Sequence, residues 1–146
     1  MEQKPFDNWN ESKKRTHSRS EIIEAHQREI WWAVFGVNVG IEIDGKHETF
    51  ERPGIVFRRF NVDMAWIIPV TSQRKDMRFH VPFTFEEKGY WAAITQIRTI
   101  STKRLLRKIG MVPLPAFHEM QQRIAELART DERSPAQGGT SRRPKP

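Results

Sequence analysis

The chain has 146 residues, of which 37% are hydrophobic and 29% charged, and its formal net charge is +7. This length and composition suit one globular domain with polar tails. The chain contains no cysteine, which excludes a disulfide framework, a thiol nucleophile and cysteine-ligated zinc. A basic body favours polyanions such as nucleic acids, although net charge alone is a weak indication.

The hydropathy pattern gives no sign of a membrane partner. No stretch approaches the roughly 18 apolar residues of a membrane span, and the first residues, Met1 to Asp7, contain no apolar core of a signal peptide. We therefore expect a cytoplasmic protein.

Residues 1–27 are polar and charged, and we interpret them as an N-terminal helical extension. A cap at Asp7 or Asn8 would begin a helix that continues through Arg15. A second short turn is expected over residues 20–26.

The next segments alternate between strands and turns. Residues 29–35 are apolar and aromatic, which favours a strand, and the glycine-rich residues 36–46 favour a loop. Pro53 is expected at the first position of a strand that continues to Phe57. After a turn at residues 61–63, Met64 to Val70 form the most apolar strand, and Pro69 there indicates an edge position or a bulge.

Further along, Phe79, Val81 and Phe83 alternate with His80 and Pro82, the period of a half-buried strand. A turn at residues 86–89 should return the chain as a single strand over residues 90–100. A short helix is then expected after a cap at Ser101 or Thr102. Leu105, Leu106 and Ile109 would form its apolar side, and Gly110 would end it.

The last helix carries the clearest amphipathic pattern in the chain. Pro113 and Pro115 favour its start, and its apolar stripe recurs at helical spacing in Phe117, Met120, Ile124 and Leu127. Residues 130–146 are rich in Ser, Pro, Gly and Arg, and we expect a disordered basic tail. Five or six short strands followed by helices predict an α+β fold in which a small curled antiparallel sheet is packed by a C-terminal helix.

The usual signatures of metal and nucleotide sites are missing from the sequence. The five histidines do not pair at ligand spacing, and no Walker loop, GxGxxG loop or GxSxG elbow occurs. We therefore predict no metal and no cofactor.

Two polar features remain, and each alone has an ordinary structural explanation. Arg52 precedes Pro53 at a strand start, where it could simply pair with Glu51 or Glu42 on the surface. Residues 71–73, Thr-Ser-Gln, follow a buried strand, where hydroxyl and amide groups often serve to end the strand.

Taken in order, however, five motifs make the chain resemble the PemK/MazF family of toxin endoribonucleases over residues 28–128. The motifs are Arg28 to Trp31, Gly40 to Glu42, Arg52 with Pro53, Val70 to Gln73, and Gln96 to Ile100. The resemblance implies a toxin domain over residues 28–129 with a small SH3-like barrel of the CcdB/PemK type. It also implies a homodimer that cleaves single-stranded mRNA and is neutralised by a cognate antitoxin protein.

The resemblance also implies roles for individual residues. Arg52 and Thr71 would be the catalytic pair, and Glu42 would support them. RNA-binding positions would be Asn38, Gly40, Ile41, Ser72, Gln73 and Arg98. Attack by the 2′-hydroxyl, leaving a cyclic phosphate, needs a cation for the dianionic phosphorane, and the planar guanidinium is suited to phosphate oxygens. The general base stays unassigned.

The chain departs from the family pattern before Arg52. Nine residues, Ile43 to Glu51, separate Glu42 from Arg52, more than is usual in the family. Two alternatives stay open: a barrel that binds nucleic acid without catalysis, and a gyrase inhibitor like CcdB. The gyrase inhibitors depend on a tryptophan at the tip of a C-terminal helix, and this chain has no tryptophan after Trp91.

Overall fold

A computed structural model describes residues 3–129 and residue 131. Apart from Asp131, the predicted tail lies outside the described residues. Two helices and seven strands follow in chain order: α1 (Phe6–His17), β1 (Glu29–Val34), β2 (Glu51–Arg59), β3 (Met64–Thr71), β4 (His80–Phe85), β5 (Lys88–Ala93), β6 (Arg98–Ser101), β7 (Leu105–Met111) and α2 (Leu114–Arg129). Short 3₁₀ turns span Ile94–Gln96 and Thr102–Arg104.

The strands form one antiparallel sheet in the order β4-β5-β3-β2-β1-β7, with β6 also paired to β3. The predicted α+β class is confirmed. Within the described residues the two end strands, β4 and β7, are not paired with each other, so the sheet is open. The term barrel therefore applies to it only loosely.

Strand β3 is central, and its register with β2 is regular at Pro69, so the predicted edge position or bulge for Pro69 is wrong. On one side β3 pairs with β2. On the other side it pairs with β6 as far as Ile67 and with β5 from Val70 onward. Pro69 lies in the gap between these two partners, where a missing N–H interrupts no ladder. Pro53 is likewise not at a strand start, because β2 begins at Glu51 and Pro53 is paired with Trp32.

Two predicted elements after β4 differ from the structure. The strand expected over residues 90–100 is divided, because β5 ends at Ala93 and a 3₁₀ turn precedes β6. The helix expected from Leu105 is wrong, since these residues form β7 along β1, with Leu105 opposite Ala33 and fully buried. Gly110 does not end a helix. It lies in β7, where a side chain would come within 3.0 Å of the Phe85 ring.

The apolar core lies on both faces of the sheet. One cluster packs under α2 and includes Ile55, Ile68, Phe117 and Met120. The predicted stripe of α2 is thus buried at its start, whereas its last member, Leu127, is exposed. A second cluster on the other face is formed by residues such as Trp31, Ala33, Val56, Ile67 and Leu105. Burial of both faces fixes the strand register, because a slip of one residue would exchange the two clusters.

The N-terminal helix packs against the loop that follows β1. Its Trp9 is buried and meets Phe50 edge to face, with ring centroids 5.6 Å apart. The helix begins at Phe6 after Pro5, and no side chain caps it, so the predicted cap at Asp7 or Asn8 is wrong. The second predicted turn is displaced to residues 27–28, where Arg28 has a φ of 78°.

Candidate active site

The pairing of β2 with β3 brings Arg52 and Thr71 to the same end of the sheet. Gly54 is opposite Pro69, and two more steps of this antiparallel register place Arg52 opposite Thr71. Both residues line one cleft of about 330 Å³, together with Ser72. Two positions separated by 18 residues of sequence thus become neighbours through strand pairing alone.

Arg52 is a nearly buried cation held by backbone carbonyls. Its side chain is only 9% exposed; Nε donates to the carbonyl of Asp44 at 2.7 Å, and one terminal NH₂ donates to the carbonyl of Val70 at 3.3 Å. Among the described residues, no carboxylate lies within ion-pairing distance of it, so neither Glu51 nor Glu42 neutralises it. Burial lowers the pKa of Arg52, while the charge of Asp44 acts in the opposite direction.

Thr71 is also buried, and its hydroxyl accepts a hydrogen bond from the backbone. The backbone N–H of Gln73 donates to Oγ1 at 3.2 Å, closing a small turn at the end of β3. A hydroxyl that accepts one bond keeps its own hydrogen free to donate. The same end of β3 therefore presents a hydroxyl donor beside the guanidinium of Arg52.

The rest of the cleft contains residues that the sequence analysis did not assign to the site. Basic, aromatic and acidic side chains line it alongside the predicted pair: Trp32, Lys46, His47, Glu51, Lys88 and Tyr90. The extra residues before Arg52 turn back on themselves, with backbone hydrogen bonds in both directions between Lys46 and Glu51. This pairing brings Lys46 and His47 into the cleft, and no motif in the sequence indicates it.

Three of the other predicted residues lie at a second depression. Asn38, Glu42 and Arg98 line it, and its volume is about 410 Å³. Glu42 is exposed, and its Oε1 accepts from the N–H of Val39 at 2.8 Å, which closes the turn at the loop tip. The structure therefore does not bring Glu42 into the cleft of Arg52 and Thr71.

The loop tip itself is held by side-chain amides. The amide nitrogen of Asn38 donates to the carbonyls of Phe35 and Ile43, and the amide nitrogen of Gln96 donates to the carbonyl of Ile41. Gly40 has a φ of 55°, and the side chain of Ile41 is 93% exposed. The loop tip thus projects an apolar side chain from a braced backbone.

Arg98 adds positive potential next to a second, half-buried cation, Arg104. Burial, and after it the charge of Arg98, lower the pKa of Arg104 to about 10. Gln73, the last of the predicted residues, is exposed beyond Thr71. Within residues 3–129 and residue 131, no three His, Asp or Glu side chains are grouped to hold a metal ion. In the same residues, no helix has the length and apolar character to cross a membrane.

Comparison with known proteins identifies the family of this chain and structures that share its fold. The sequence profile of the family described as "PemK-like, MazF-like toxin of type II toxin-antitoxin system" matches residues 26–128. The chain therefore belongs to the PemK/MazF toxin family. A search of curated protein sequences found no match.

Several solved structures share the fold. MazF from Deinococcus radiodurans superposes with a TM-score of 0.62 at 18% identity, over 76% of this chain and 100% of that one. A mycobacterial endoribonuclease in complex with its cognate antitoxin superposes with a TM-score of 0.54 at 12% identity, over 73% of this chain and 98% of that one. Mycobacterium tuberculosis toxin MazF-mt6 superposes with a TM-score of 0.53 at 16% identity, over 71% of this chain and 99% of that one. At these identities the likeness establishes the fold.

Proposed function

We propose that this toxin is an endoribonuclease that cleaves single-stranded RNA by attack of the 2′-hydroxyl on the phosphorus. The P–O5′ bond breaks and the departing 5′-oxygen takes up a proton, so the products end in a 2′,3′-cyclic phosphate and a 5′-hydroxyl. One observation carries the proposal. A buried arginine, held by carbonyls and not by a carboxylate, stands beside a threonine hydroxyl in an open cleft. No carboxylate among the described residues forms a direct ion pair with this cation, so its charge suits the scissile phosphate.

Arg52 stabilises charge in this mechanism. Its guanidinium has five N–H donors, and the hydrogen bonds to Asp44 and Val70 use two of them. The remaining donors are free for phosphate oxygens, whose negative charge grows as the phosphorane forms. One donor that is already oriented before the reaction contributes about 2.7–4 kcal/mol in the oxyanion hole of an acyl-transfer enzyme, which gives the scale of the effect.

Thr71 and a titratable neighbour complete the chemistry. The threonine hydroxyl donates to a second phosphate oxygen. A base must also take the proton of the 2′-hydroxyl, and the cleft offers a carboxylate, Glu51, and an imidazole, His47, as acceptors. We propose that one of these two residues, and not Glu42, is the base, because Glu42 lies in the other depression.

The surroundings of the cleft suit a single strand of RNA. Lys46 and Lys88 line the cleft and can contact phosphates, and the rings of Trp32 and Tyr90 line it beneath the cations of Arg107 and Lys88. The depression at Asn38 and its neighbours would hold flanking nucleotides. We further propose that the chain acts as a homodimer and that a cognate antitoxin blocks the cleft. The mycobacterial endoribonuclease was solved with such an antitoxin.

The test is RNA cleavage by the purified protein, with and without EDTA, followed by mapping of the ends. We expect discrete cuts with cyclic phosphate termini and a fall of about 10²–10³ in rate for Arg52→Ala. Arg58→Ala is the matched control, because Arg58 is exposed on the same strand and rests on Phe60. Intact RNA with gel retardation would indicate a binding protein without catalysis. Intact RNA with gyrase inhibition would indicate the CcdB-like alternative.

A further inference from the structure

The segment before the family-matched part contacts the loop that precedes Arg52. The family match begins at residue 26, whereas Lys4 and Trp9 lie in the preceding segment. Both contact residues 36–50, which we call the active-site loop. This loop joins β1 to β2 and includes the extra residues that separate Glu42 from Arg52.

Lys4 binds the active-site loop at three points. Its Nζ donates to the carbonyl of Asn38 at 2.7 Å and to the carbonyl of Gly40 at 3.1 Å. It also pairs with Oδ2 of Asp44 at 3.0 Å. The lysine side chain is 27% exposed and that of Asp44 30%, so this ion pair is partly shielded from water. A single ammonium group thus connects the tip of the loop, at Asn38 and Gly40, to Asp44 in the part of the loop that leads to Arg52.

Asp44 connects this contact to Arg52. Its Oδ1 accepts from the backbone N–H of Asn38 at 2.6 Å, while its carbonyl accepts from Nε of Arg52 at 2.7 Å. The peptide unit that orients the guanidinium therefore belongs to the residue that Lys4 holds. Displacement of Asp44 would displace the carbonyl that fixes Arg52.

Trp9 holds the other part of the active-site loop. Its ring packs against Phe50, Val34 and Val37, and it lies so close to Gly36 that a side chain there would come within 3.0 Å. The carbonyl of Phe50 accepts from the N–H groups of Phe35 and Gly36 and closes the base of the loop. The N-terminal segment therefore contacts both the base and the tip of the loop.

We propose that Lys4 is a positioning residue for Arg52, acting through Asp44, and that the N-terminal segment is a working part of the active site. This inference rests on the proposed ribonuclease function. Since Lys4 does not line the cleft, its loss should remove no direct contact to RNA and should instead disorder the orientation of Arg52. We expect Lys4→Met to lower kcat about 10- to 100-fold, the scale of effect that a misplaced catalytic group produces, and to change KM by a smaller factor.

The first measurement is hydrogen exchange, which does not depend on catalysis. In Lys4→Met we expect faster exchange of the Asn38, Gly45 and Lys46 amides and unchanged exchange in α2. Lys14→Met is the matched control, because Lys14 forms an exposed ion pair with Glu11 on α1 and does not contact the loop. It should match the wild type in exchange, kcat and KM.

A kinetic cycle tests the route through Asp44. Lys4→Met should lower kcat much less in an Asp44→Asn background than in the wild type, and Lys4→Arg should recover part of the activity. Wild-type exchange and kcat in Lys4→Met, with Arg52→Ala inactive, would overturn the inference and leave the proposed function standing. Full activity of Arg52→Ala would instead refute the proposed function, while loop exchange would still report whether Lys4 holds the loop.

Discussion

Gly36 is the position where the packing of the N-terminal helix can be tested most directly. Its φ is +78°, a left-handed conformation that side chains rarely adopt, and a Cβ there would meet the six-membered ring of Trp9 at under 3.0 Å. Trp9 is only 7% exposed, so its ring has little free space into which to move. Gly36→Ala should therefore act in two ways, through the backbone and through the ring.

The two contributions have different sizes. The left-handed backbone alone costs a non-glycine residue about 1–2 kcal/mol. Displacing the ring forfeits much of what a Trp→Ala substitution removes, about 3–5 kcal/mol for a buried ring. We expect Gly36→Ala to lower the free energy of unfolding by about 3–5 kcal/mol, less than the sum because the loop can relax.

A double-mutant cycle separates the two contributions. Urea unfolding followed by circular dichroism would be measured for Gly36→Ala, Trp9→Ala and the double variant. Once the ring is absent, Gly36→Ala should cost only the backbone contribution, about 1–2 kcal/mol. An equal cost of Gly36→Ala with and without Trp9 would refute the packing of the helix against the loop.

Two further predictions concern the cleft and the sheet. Thr71→Val should lower kcat about 10- to 100-fold because it removes one donor to a charged group, whereas Thr71→Ser should stay within about tenfold of the wild type in the same cleavage assay. For Glu29, burial raises the pKa, but the hydrogen bonds from Lys108 at 2.6 Å and from the backbone of His26 outweigh it, so the pKa is lowered. A carboxyl group whose pKa is lower in the folded protein stabilises the fold at pH values above its pKa in the unfolded chain. This stabilisation is lost as the pH falls through the pKa of the folded protein. Unfolding free energies across pH 3–7 should therefore fall below about pH 4.3, and Glu29→Gln should cost about 1–3 kcal/mol at pH 7 and weaken this acid dependence.

Local patterns in the sequence were sufficient for several elements. The alternation from Phe79 to Phe83 predicts β4, because one face of that strand is buried and the other is not. The stripe beginning at Phe117 predicts α2 for the same reason at helical spacing. The local pattern does not fix the ends of these elements, because Phe79 lies in the turn before β4 and is exposed, as is Leu127 near the end of α2.

Strand β7 could not be predicted in this way. Leu105, Leu106 and Ile109 fit a short helix as well as a strand, and only the pairing with β1 decides between them. That pairing joins residues more than 70 positions apart, such as Leu105 and Ala33. Ser101 does form a cap, accepting from the N–H of Lys103, but it caps a single 3₁₀ turn before the strand begins.

The site shows the same division between local and distant information. The order of motifs indicates Arg52 and Thr71, and β2–β3 pairing places them in one cleft. His47 lines this cleft because the active-site loop folds back on itself, and no local sequence pattern specifies that fold. The loop also carries Glu42 away from Arg52, although the two are close in the sequence.

The partners of Arg52 explain why its charge stays available. Glu51 is adjacent in sequence, but its Oε1 accepts from Arg107 at 3.4 Å. Asp44 is adjacent in space, but its carboxylate is bound by Lys4 and by the Asn38 N–H, and only its carbonyl reaches Arg52. Carbonyls orient a guanidinium without neutralising it, so the cost of burial remains and lowers the pKa of Arg52. A bound phosphate would offset that cost, and part of the affinity for RNA would then come from a direct ion pair that no carboxylate among the described residues makes with Arg52.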